Sequence, residues 1–444
     1  MRTFTHSLVL ITTLWSADVG ATEFIVKDIN KHKDESHSWI VLPYLFSSDS
    51  TGVTGGIVGI AKGFLQPQVT MVATAYLGQK LPVQNFTGDG VSNSKANSKG
   101  FSFGIDGYKP FFSKRMFVSV IGNYAYFPNQ RIYLNGNNDS VKNLDLTDKA
   151  NFTPFQTQGY NNWAELDFRF VLPFGEGKCN ITPIIELDRG IAINRDNQGN
   201  GIPFVSGQTI FGLKVFHKRF TADKFIDHRE LNTNGIRVSL EHDNTDYPDN
   251  PSRGYNMKIQ TSVDFGLMSS TQSWSALEAK YSYYIELPNF QWSRHNVIAL
   301  NTWSAYSPSW NSNEKHENGL LDKNQPPMWE GARLGGYNRM RAYDMDRFSD
   351  KAALYFAAEY RVIPDYNPIK GLSWNPFPID WFQTVLFAEA GRVAPKYDIK
   401  ELMSDMKYDV GVSLRALTAK VPMRLEVAYG HEGLNMWVML KQPF

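Results

Sequence analysis

The sequence predicts an all-β protein: a transmembrane antiparallel β-barrel of about sixteen strands. Three observations lead to this fold class. Apolar and polar residues alternate along most of the 444 residues, helical periodicity is nearly absent, and aromatic residues make up 14% of the chain. Alternation with a period of two places successive side chains on opposite faces of a strand. In a membrane barrel the apolar face meets lipid and the polar face lines the interior.

Residues 255–265, YNMKIQTSVDF, show the alternation most clearly. Tyrosine, methionine, isoleucine, threonine, valine and phenylalanine fall on one face, and asparagine, lysine, glutamine, serine and aspartate fall on the other. Residues 274–287 and 407–418 repeat the pattern, with charges of both signs on the polar face. A soluble β-sandwich with its charged face in water alternates in the same way, so this alternative stays open. Strands of about ten residues, with aromatic residues crowding their ends, favour the membrane barrel.

Sixteen candidate strands follow from the pattern, and an even number is typical of single-chain bacterial barrels. They span residues 52–62, 65–77, 98–108, 116–127, 160–171, 180–188, 207–217, 234–243, 254–266, 274–287, 295–306, 353–363, 381–391, 407–418, 421–430 and 434–444. The connections 78–97 and 128–159 are long for the periplasmic side of a barrel, where turns are usually short. This mismatch indicates that a strand is miscounted in the first third of the chain.

The N-terminus is predicted to be an export signal over residues 1–21. Arg2 supplies a positive charge, SLVLITTLW forms an apolar core too short to cross a bilayer as a helix, and small residues lead up to Ala21. A buried N-terminal strand or helix is the alternative. Residues 22–51 are predicted to be a short periplasmic leader and residues 52–444 the barrel. The single cysteine, Cys179, excludes an internal disulfide.

Composition and motifs exclude several classes of function. The 45 basic and 44 acidic residues leave a net charge of +1, so nucleic acid is not an expected partner. The histidines are scattered, and the sequence lacks the spacings of zinc proteases, serine hydrolases and Cys/His metal sites. The stretch HDNTD, residues 242–246, is interpreted as a strand end. The sequence therefore predicts a protein that is not an enzyme and uses no metal or cofactor.

One stretch carries a family resemblance. Residues 334–348, LGGYNRMRAYDMDRF, resemble the sixth-loop signature of the BamA/TamA-like outer-membrane barrels, also called bacterial surface antigens. The signature arginine corresponds to Arg341 and its aromatic residue to Tyr343, while Ala342 replaces the usual glycine. LEHDNTDYPDNPSRGY, VLFAEAGRV and WIVLPYLFSSDSTGVTGG resemble three further family segments, and all four occur in the family's order.

The resemblance implies that the sixth loop folds into the barrel lumen and that its arginine pairs with acids on the inner wall. Side chains at alternate positions of a strand share a face, and we call this assignment of residues to faces strand parity. Strand parity agrees with the implied pairing, because it places Glu359, Phe387 and Glu389 on the inner faces of neighbouring strands. The predicted clamp consists of Arg341, Tyr343, Gly335, Gly336, Glu359, Glu389 and Phe387. The glycines would let the chain reverse. Independently solvated lumen charges are the alternative, and Arg339 and Arg347 are rival donors.

The resemblance also implies a location in the bacterial outer membrane and a role in polypeptide translocation or assembly there. In this family the first and last strands meet at a weak seam. The seam residues predicted here are Gly52, Gly55, Gly56, Gly59 and Phe444. Glycine weakens a strand, although the same glycines are compatible with tight curvature. Expected partners are outer-membrane lipid and either client polypeptides or a periplasmic accessory protein. A passive channel or a structural surface antigen is the alternative function.

Overall fold

The computed structural model describes residues 22–29, 37–48, 50–87, 90–133, 155–194, 205–222, 229–317, 321–368, 379–418 and 420–444. The predicted export signal, residues 1–21, lies outside these ranges. Within them, none of the helices has both the length and the apolar character needed to cross a bilayer. The longest described helix, Ile399–Met403, has five residues.

One antiparallel sheet of sixteen strands contains most of the regular structure described. Its strands follow one another in chain order, and neighbours in the sheet are hydrogen-bonded. The strands are β1 (Ser38–Ser48), β2 (Gly52–Lys62), β3 (Thr70–Thr87), β4 (Gly90–Tyr108), β5 (Met116–Ile132), β6 (Phe155–Val171), β7 (Gln208–Ala222), β8 (Arg229–Asp243), β9 (Gly254–Asp264), β10 (Trp274–Leu287), β11 (Ser293–Tyr306), β12 (Ala352–Pro364), β13 (Ile379–Ala394), β14 (Lys407–Thr418), β15 (Val421–Gly430) and β16 (Gly433–Leu440). The predicted all-β class and the number of strands are confirmed.

The sheet begins earlier than the sequence predicts. Residues 38–48 form β1 and lie in the barrel sheet rather than in the predicted leader, so the predicted first strand, 52–62, is the second. This corrects the predicted barrel boundary at residue 52. Alternation of apolar and polar residues does not reveal the segment WIVLPYLFSS as a strand, because apolar residues occupy both of its faces. Pro43 also argues against a paired central strand, whereas an edge strand tolerates proline.

A second correction offsets the first in the strand count. The predicted crossing at 180–188 is only five residues long in the structure, Ile184–Asp188, which is too short to span a bilayer. It belongs to a separate three-stranded sheet with Ile25–Asp28 and Ile191–Ala192. The strands Ile184–Asp188 and Ile191–Ala192 lie in the connection between β6 and β7. By topology that connection is at the end of the barrel opposite to the sixth loop.

The two faces of the barrel strands differ as the alternation predicts. On β14, every second side chain is apolar and at least half exposed, as expected for a face that meets lipid. These exposed residues are Tyr408, Val410, Val412 and Leu414. The intervening Asp409, Ser413 and Arg415 are buried on the inner face. The inside of the barrel is therefore charged but largely closed to solvent near β14.

The edge strands β1 and β16 share no backbone ladder among the described residues. Instead, one apolar cluster joins the two ends of the sheet. This seam cluster contains Ile40, Leu42, Tyr44, Val58, Ile60, Val72, Val421, Met423, Val438 and Leu440. The sheet therefore curls until its ends touch. Side-chain contacts, rather than ladder hydrogen bonds, hold the two ends together, and we call this meeting of β1 and β16 the seam.

Strand parity shows that the two ends overlap. Val41 is exposed on the outer face of β1, which places its neighbour Ile40 on the inner face. On β16, Trp437 points into the lumen, which places Val438 and Leu440 on the outer face. The seam cluster thus packs the inner face of β1 against the outer face of β16. The first strand lies outside the last.

Hydrogen exchange measured on the reconstituted protein tests this seam. Because β1 and β16 are paired on one side only, we expect alternate amides in both strands to exchange at least about tenfold faster than amides in β12 and β13. Mass spectrometry with peptide resolution measures the difference. The strands β12 and β13 are the matched control, since each is paired on both sides. Equal protection of all four strands would contradict an unladdered seam.

Candidate functional site

The sixth loop, residues 307–351, connects β11 to β12 and folds back into the barrel, as predicted. Two short strands, Arg333–Leu334 and Phe348–Ser349, pair and enclose the inserted segment. Gly335 and Gly336 have φ angles of 113° and 110°, in the region that favours glycine. A Cβ at Gly335 would collide with backbone of the same loop, and one at Gly336 with the Met345 sulfur. Both glycines therefore allow the tight reversal that the sequence predicts.

Arg341 is at the centre of the inserted segment and contacts three carboxylates. Its backbone N–H and Nε donate to the two carboxylate oxygens of Glu389, at 2.6 and 3.1 Å. Its Nη1 donates to Glu359 at 2.9 Å and to Glu426 at 2.8 Å. The side chains of all four residues are 0% exposed. The structure therefore brings together the predicted Arg341, Glu359 and Glu389, and adds Glu426.

Further arginines surround these acids. Arg361 donates to Glu359 at 2.8 Å, and Arg415 donates to Glu359 at 2.8 Å and to Glu426 at 3.2 Å. Arg424 donates to the other oxygen of Glu426. We call this set of buried charges the clamp network. It contains Arg341, Arg361, Arg415, Arg424, Glu359, Glu389, Glu426 and Asp409.

In the clamp network, each of the three glutamates accepts a hydrogen bond from at least one arginine, and Asp409 accepts one from the Ala342 backbone N–H. This pairing matters because a buried charge without a partner costs several kcal/mol. Burial disfavours the charged form of Arg341, yet Glu389, Glu426 and Glu359 raise the pKa of its guanidinium well above the usual range. Arg341 therefore stays charged and holds the three acids together. The network ties the loop to β12, β13 and β15, which carry Glu359, Glu389 and Glu426.

Aromatic contacts fix the position of the arginine. The guanidinium carbon of Arg341 lies 3.5 Å from the ring centre of Phe387, a cation–π contact. Trp437 on β16 donates its indole N–H to the carbonyl oxygen of Arg341 at 2.6 Å. The Tyr343 hydroxyl donates to the carbonyl oxygen of Tyr408 at 3.1 Å. The predicted clamp residues Phe387 and Tyr343 thus both contact this site.

Ala342, which departs from the family's glycine, fits because glycine stands opposite it. Gly430 ends β15, and a Cβ at that position would lie 2.9 Å from the Ala342 methyl group. The backbone N–H of Ala342 still donates to Asp409 at 3.2 Å. Ala342 is also absent from the residues with positive φ, so its conformation does not require glycine. The close approach of loop and wall is therefore preserved.

The predicted seam residues lie elsewhere than expected. Gly52, Gly55, Gly56 and Gly59 are on β2, one strand away from the sheet edge. A Cβ at Gly56 would collide with the Tyr44 ring, so this glycine makes room for a side chain of the seam cluster. β16 ends at Leu440, and the tail beyond it turns inward, where Arg361 donates to the carbonyl oxygen of Phe444 at 3.2 Å. Phe444 is therefore part of the lumen interior rather than the seam.

Several clamp residues were missed by sequence reasoning. Alternation on VPMRLEVAY places Arg424 and Glu426 on the inner face, and Asp409 and Arg415 share that parity on β14. Parity alone was therefore sufficient to select them as candidates, but it could not show that β14 and β15 curve toward the loop. The rival donors have other partners. Arg347 pairs with Glu432 through two hydrogen bonds of 2.9 and 2.7 Å, and Arg339 stacks on Trp303.

The arrangement fastens the sixth loop to the barrel wall. Its carboxylates are bound by arginines on several sides and are closed to solvent, which leaves them no access to a substrate. Within the described ranges, no three His, Cys, Asp or Glu side chains are grouped so that they could hold a metal ion. What the site does is hold a long loop against one part of the barrel wall.

Fold and site together define an antiparallel sixteen-stranded barrel whose sixth loop is fastened in the lumen by an arginine. The Omp85 superfamily domain matches residues 194–433, more than half of the chain. The chain therefore belongs to the Omp85 superfamily, and the resemblance to BamA/TamA-like barrels is confirmed. Membership of this superfamily indicates a bacterial outer-membrane protein. A comparison with curated protein sequences gave no significant match.

Solved structures with a similar fold come from this superfamily. CdiB from Escherichia coli has a TM-score of 0.50 at 9% identity, over 89% of this chain and 58% of that one. CdiB from Acinetobacter baumannii has a TM-score of 0.47 at 13% identity, and the match covers 89% of this chain and 56% of that one. BamA from Haemophilus ducreyi lacking POTRA domains 1–3 has a TM-score of 0.42 at 14% identity, and the match covers 91% of this chain and 69% of that one. The chain thus spans little more than half of each CdiB chain, and the likeness concerns the fold.

Replacing Arg341 by alanine tests the clamp. Three buried carboxylates would lose their shared cation, and breaking a buried pair in this way costs about 3–5 kcal/mol. We expect the sixth loop to leave its site more often and to be cut faster by a protease that cleaves after aromatic residues. Tyr337, Tyr343 and Phe348 in the inserted segment are the cleavage sites to follow by mass spectrometry.

Arg339→Ala is the matched control for this experiment. Arg339 lies in the same segment, and the contact described for its side chain is the stack on Trp303, away from the clamp network. Its removal should leave the cleavage rate near that of the wild type. Equal acceleration by both substitutions would show that the loop is held by its general packing and not by Arg341.

Proposed function

We propose that this chain moves or inserts polypeptide segments at the bacterial outer membrane by opening the seam between β1 and β16. Membership of the Omp85 superfamily supports a general role in outer-membrane protein translocation or assembly. The observation that supports opening at the seam is the seam itself, which apolar side chains close without a backbone ladder among the described residues. No covalent chemistry is part of this proposal.

An unladdered seam can open at a lower cost than any other part of the sheet. Each backbone hydrogen bond contributes about 0.5–1.5 kcal/mol in water, and more in lipid, where no water replaces a broken bond. Parting two paired strands would break many such bonds at once. In the part of the seam that the structure describes, parting β1 from β16 separates the apolar side chains of the seam cluster, and lipid is an adequate environment for those. The edges then offer free N–H and C=O groups to which a client strand can pair.

The clamp network supports this proposal by making one side of the seam rigid. The partners of Arg341 lie on β12, β13 and β15, and its carbonyl oxygen binds Trp437 on β16. The loop therefore cross-links the strands that end at the C-terminal edge. Among the described residues, β1 meets that edge through the side chains of the seam cluster, so motion is expected on the β1 side.

A passive channel is less compatible with the filled lumen. The sixth loop contacts β12, β13 and β15 through Arg341, and β7 and β8 through Glu330, which binds Lys218 and Arg237. Residues 22–29 occupy the opposite end of the interior. The proposed function implies as partners outer-membrane lipid, client polypeptides with strand-forming segments, and an accessory protein of the periplasm.

A disulfide across the seam tests the proposed opening. In a Cys179→Ser background, Ile40→Cys and Leu440→Cys place thiols on β1 and β16 within the seam cluster. Oxidation should lock the seam and reduce the amount of client proteins in the outer membrane or the medium. Reduction should restore them. Quantitative mass spectrometry of both fractions, before and after reduction, measures the effect.

Val427→Cys with Met436→Cys, two residues outside the seam cluster, is the matched control pair. These residues face each other across the permanent ladder between β15 and β16, so their disulfide leaves the seam free. Oxidising the control pair should change neither fraction. A seam-locked protein that supports the same protein composition as the control would overturn the proposal.

Single-channel recording separates the proposed function from the passive channel. Because the loop fills the lumen, we expect the purified wild-type protein in a planar bilayer to show low conductance with rare brief openings. Arg341→Ala should open more often, since its loop is no longer fastened. A large and steady conductance of the wild-type protein would favour the passive channel instead.

A further inference from the structure

The N-terminal segment, residues 22–29, lies in the barrel end opposite to the sixth loop as an added β-strand. Ile25–Asp28 pairs in parallel with Ile184–Asp188, in a register that sets Ile25 beside Ile184. Ile25 donates its N–H to the carbonyl oxygen of Pro183 at 2.9 Å, and Ile29 donates to that of Leu187 at 3.1 Å. The other edge of Ile184–Asp188 is already paired with Ile191–Ala192.

Two side chains of this segment fill an apolar site. Phe24 and Val26 are buried in a cluster with Ile185, Leu187 and Tyr247. The ring of Phe24 meets the ring of Tyr247 edge-on, with 5.7 Å between their centres. The ammonium group of Lys62 on β2 lies 4.7 Å from the centre of the Phe24 ring. Apart from Phe24 and Val26, every group that forms this site comes from the barrel wall or its connections.

An arginine of the wall holds the acid that precedes Phe24. Arg169 on β6 lies 2.6 Å from a carboxylate oxygen of Glu23 and 2.5 Å from one of Asp106. A single guanidinium thus faces two buried carboxyl groups. Burial raises the pKa of Glu23 to about 7, although Arg169 lowers it. A cavity of about 100 Å³ adjoins Glu23 and Phe24, so the segment is not tightly enclosed.

These contacts resemble the binding of a peptide more than the interior of a domain. The ladder is four residues long and parallel, the less stable kind of pairing. Its other face stays accessible, since Lys27 and Ile184 are exposed. Backbone pairing gives such a site affinity for any extended chain, and its pockets for alternate side chains give it specificity.

We propose that Ile184–Asp188 and the wall around it form a binding site for an extended polypeptide, which the chain's own residues 22–28 fill in this structure. The preferred ligand has an acid for Arg169, an aromatic residue directly after it for the Tyr247 pocket, and a branched apolar residue two positions further on. That the ligand is a client segment in transit rests on the proposed function; the binding itself does not.

Binding of a labelled peptide tests the site. The probe is a fluorescent peptide with the sequence of residues 22–28, TEFIVKD, added to the purified full chain in detergent micelles. The substitutions Glu23→Gln and Phe24→Ala together weaken the binding of the chain's own segment to the site. They leave every residue of the site unchanged. Because the site becomes vacant more often, we expect the peptide to bind this variant at least about tenfold more tightly than the wild type. Fluorescence anisotropy measures both affinities.

Two controls make the result specific. A peptide with alanine in place of its phenylalanine, TEAIVKD, should bind at least about tenfold more weakly, because it leaves the pocket empty. Ile25→Cys with Ile184→Cys in a Cys179→Ser background, joined by a short thiol cross-linker, holds the chain's own segment in place. The cross-linked protein should bind the probe at least about tenfold more weakly than the same cysteine variant before linking, which is the reference for this control.

A second variant keeps the test decisive if the double substitution does not vacate the site. Replacing residues 22–28 by alternating glycine and serine removes every apolar and charged side chain of the segment and again spares the site. The proposed site would be overturned if the probe bound neither of the two variants. It would also be overturned if the probe bound the cross-linked protein as tightly as the same protein before linking. A seam lock without effect would overturn the proposed function and leave peptide binding untouched.

Discussion

The interior of this barrel depends on a set of buried charges that neutralise one another. Arg341 alone joins Glu359, Glu389 and Glu426, and three further arginines donate to Glu359 or Glu426. Charges excluded from water are tolerated only when every group has a partner. The loop therefore cannot leave without exposing acids of the wall, and the wall strands cannot part without losing the loop. This mutual dependence makes the C-terminal part of the barrel one rigid unit.

The other end of the sheet follows a different physical rule. β1 has apolar residues on both faces, and its inner face lies against the outer face of β16. Apolar contacts are not directional, so they tolerate sliding and separation better than hydrogen bonds do. A single sheet thus combines a rigid C-terminal edge with a loosely held N-terminal edge. This asymmetry is the basis of the proposed opening.

Strand parity predicted much of the molecule. The all-β class and the inward orientation of Glu359 and Glu389 follow from a period of two, which needs no tertiary information. The predicted count of sixteen strands is right because the missed β1 offsets the false crossing at 180–188. β1 was placed outside the barrel because its two apolar faces erase that period. Glu426 and Arg415 had the right parity, but their proximity to Arg341 depends on the curvature of the sheet. The site filled by Phe24 depends on a contact between distant parts of the chain, which no local pattern encodes.

The pairing of Ala342 with Gly430 shows how this chain departs from its family's motif without losing the contact. Loop and wall leave space for a single methyl group between them, and either position can supply it. The two residues are therefore not independent: a side chain at 430 requires that the one at 342 shrink to hydrogen. In related sequences, the size of one residue should consequently vary inversely with that of the other.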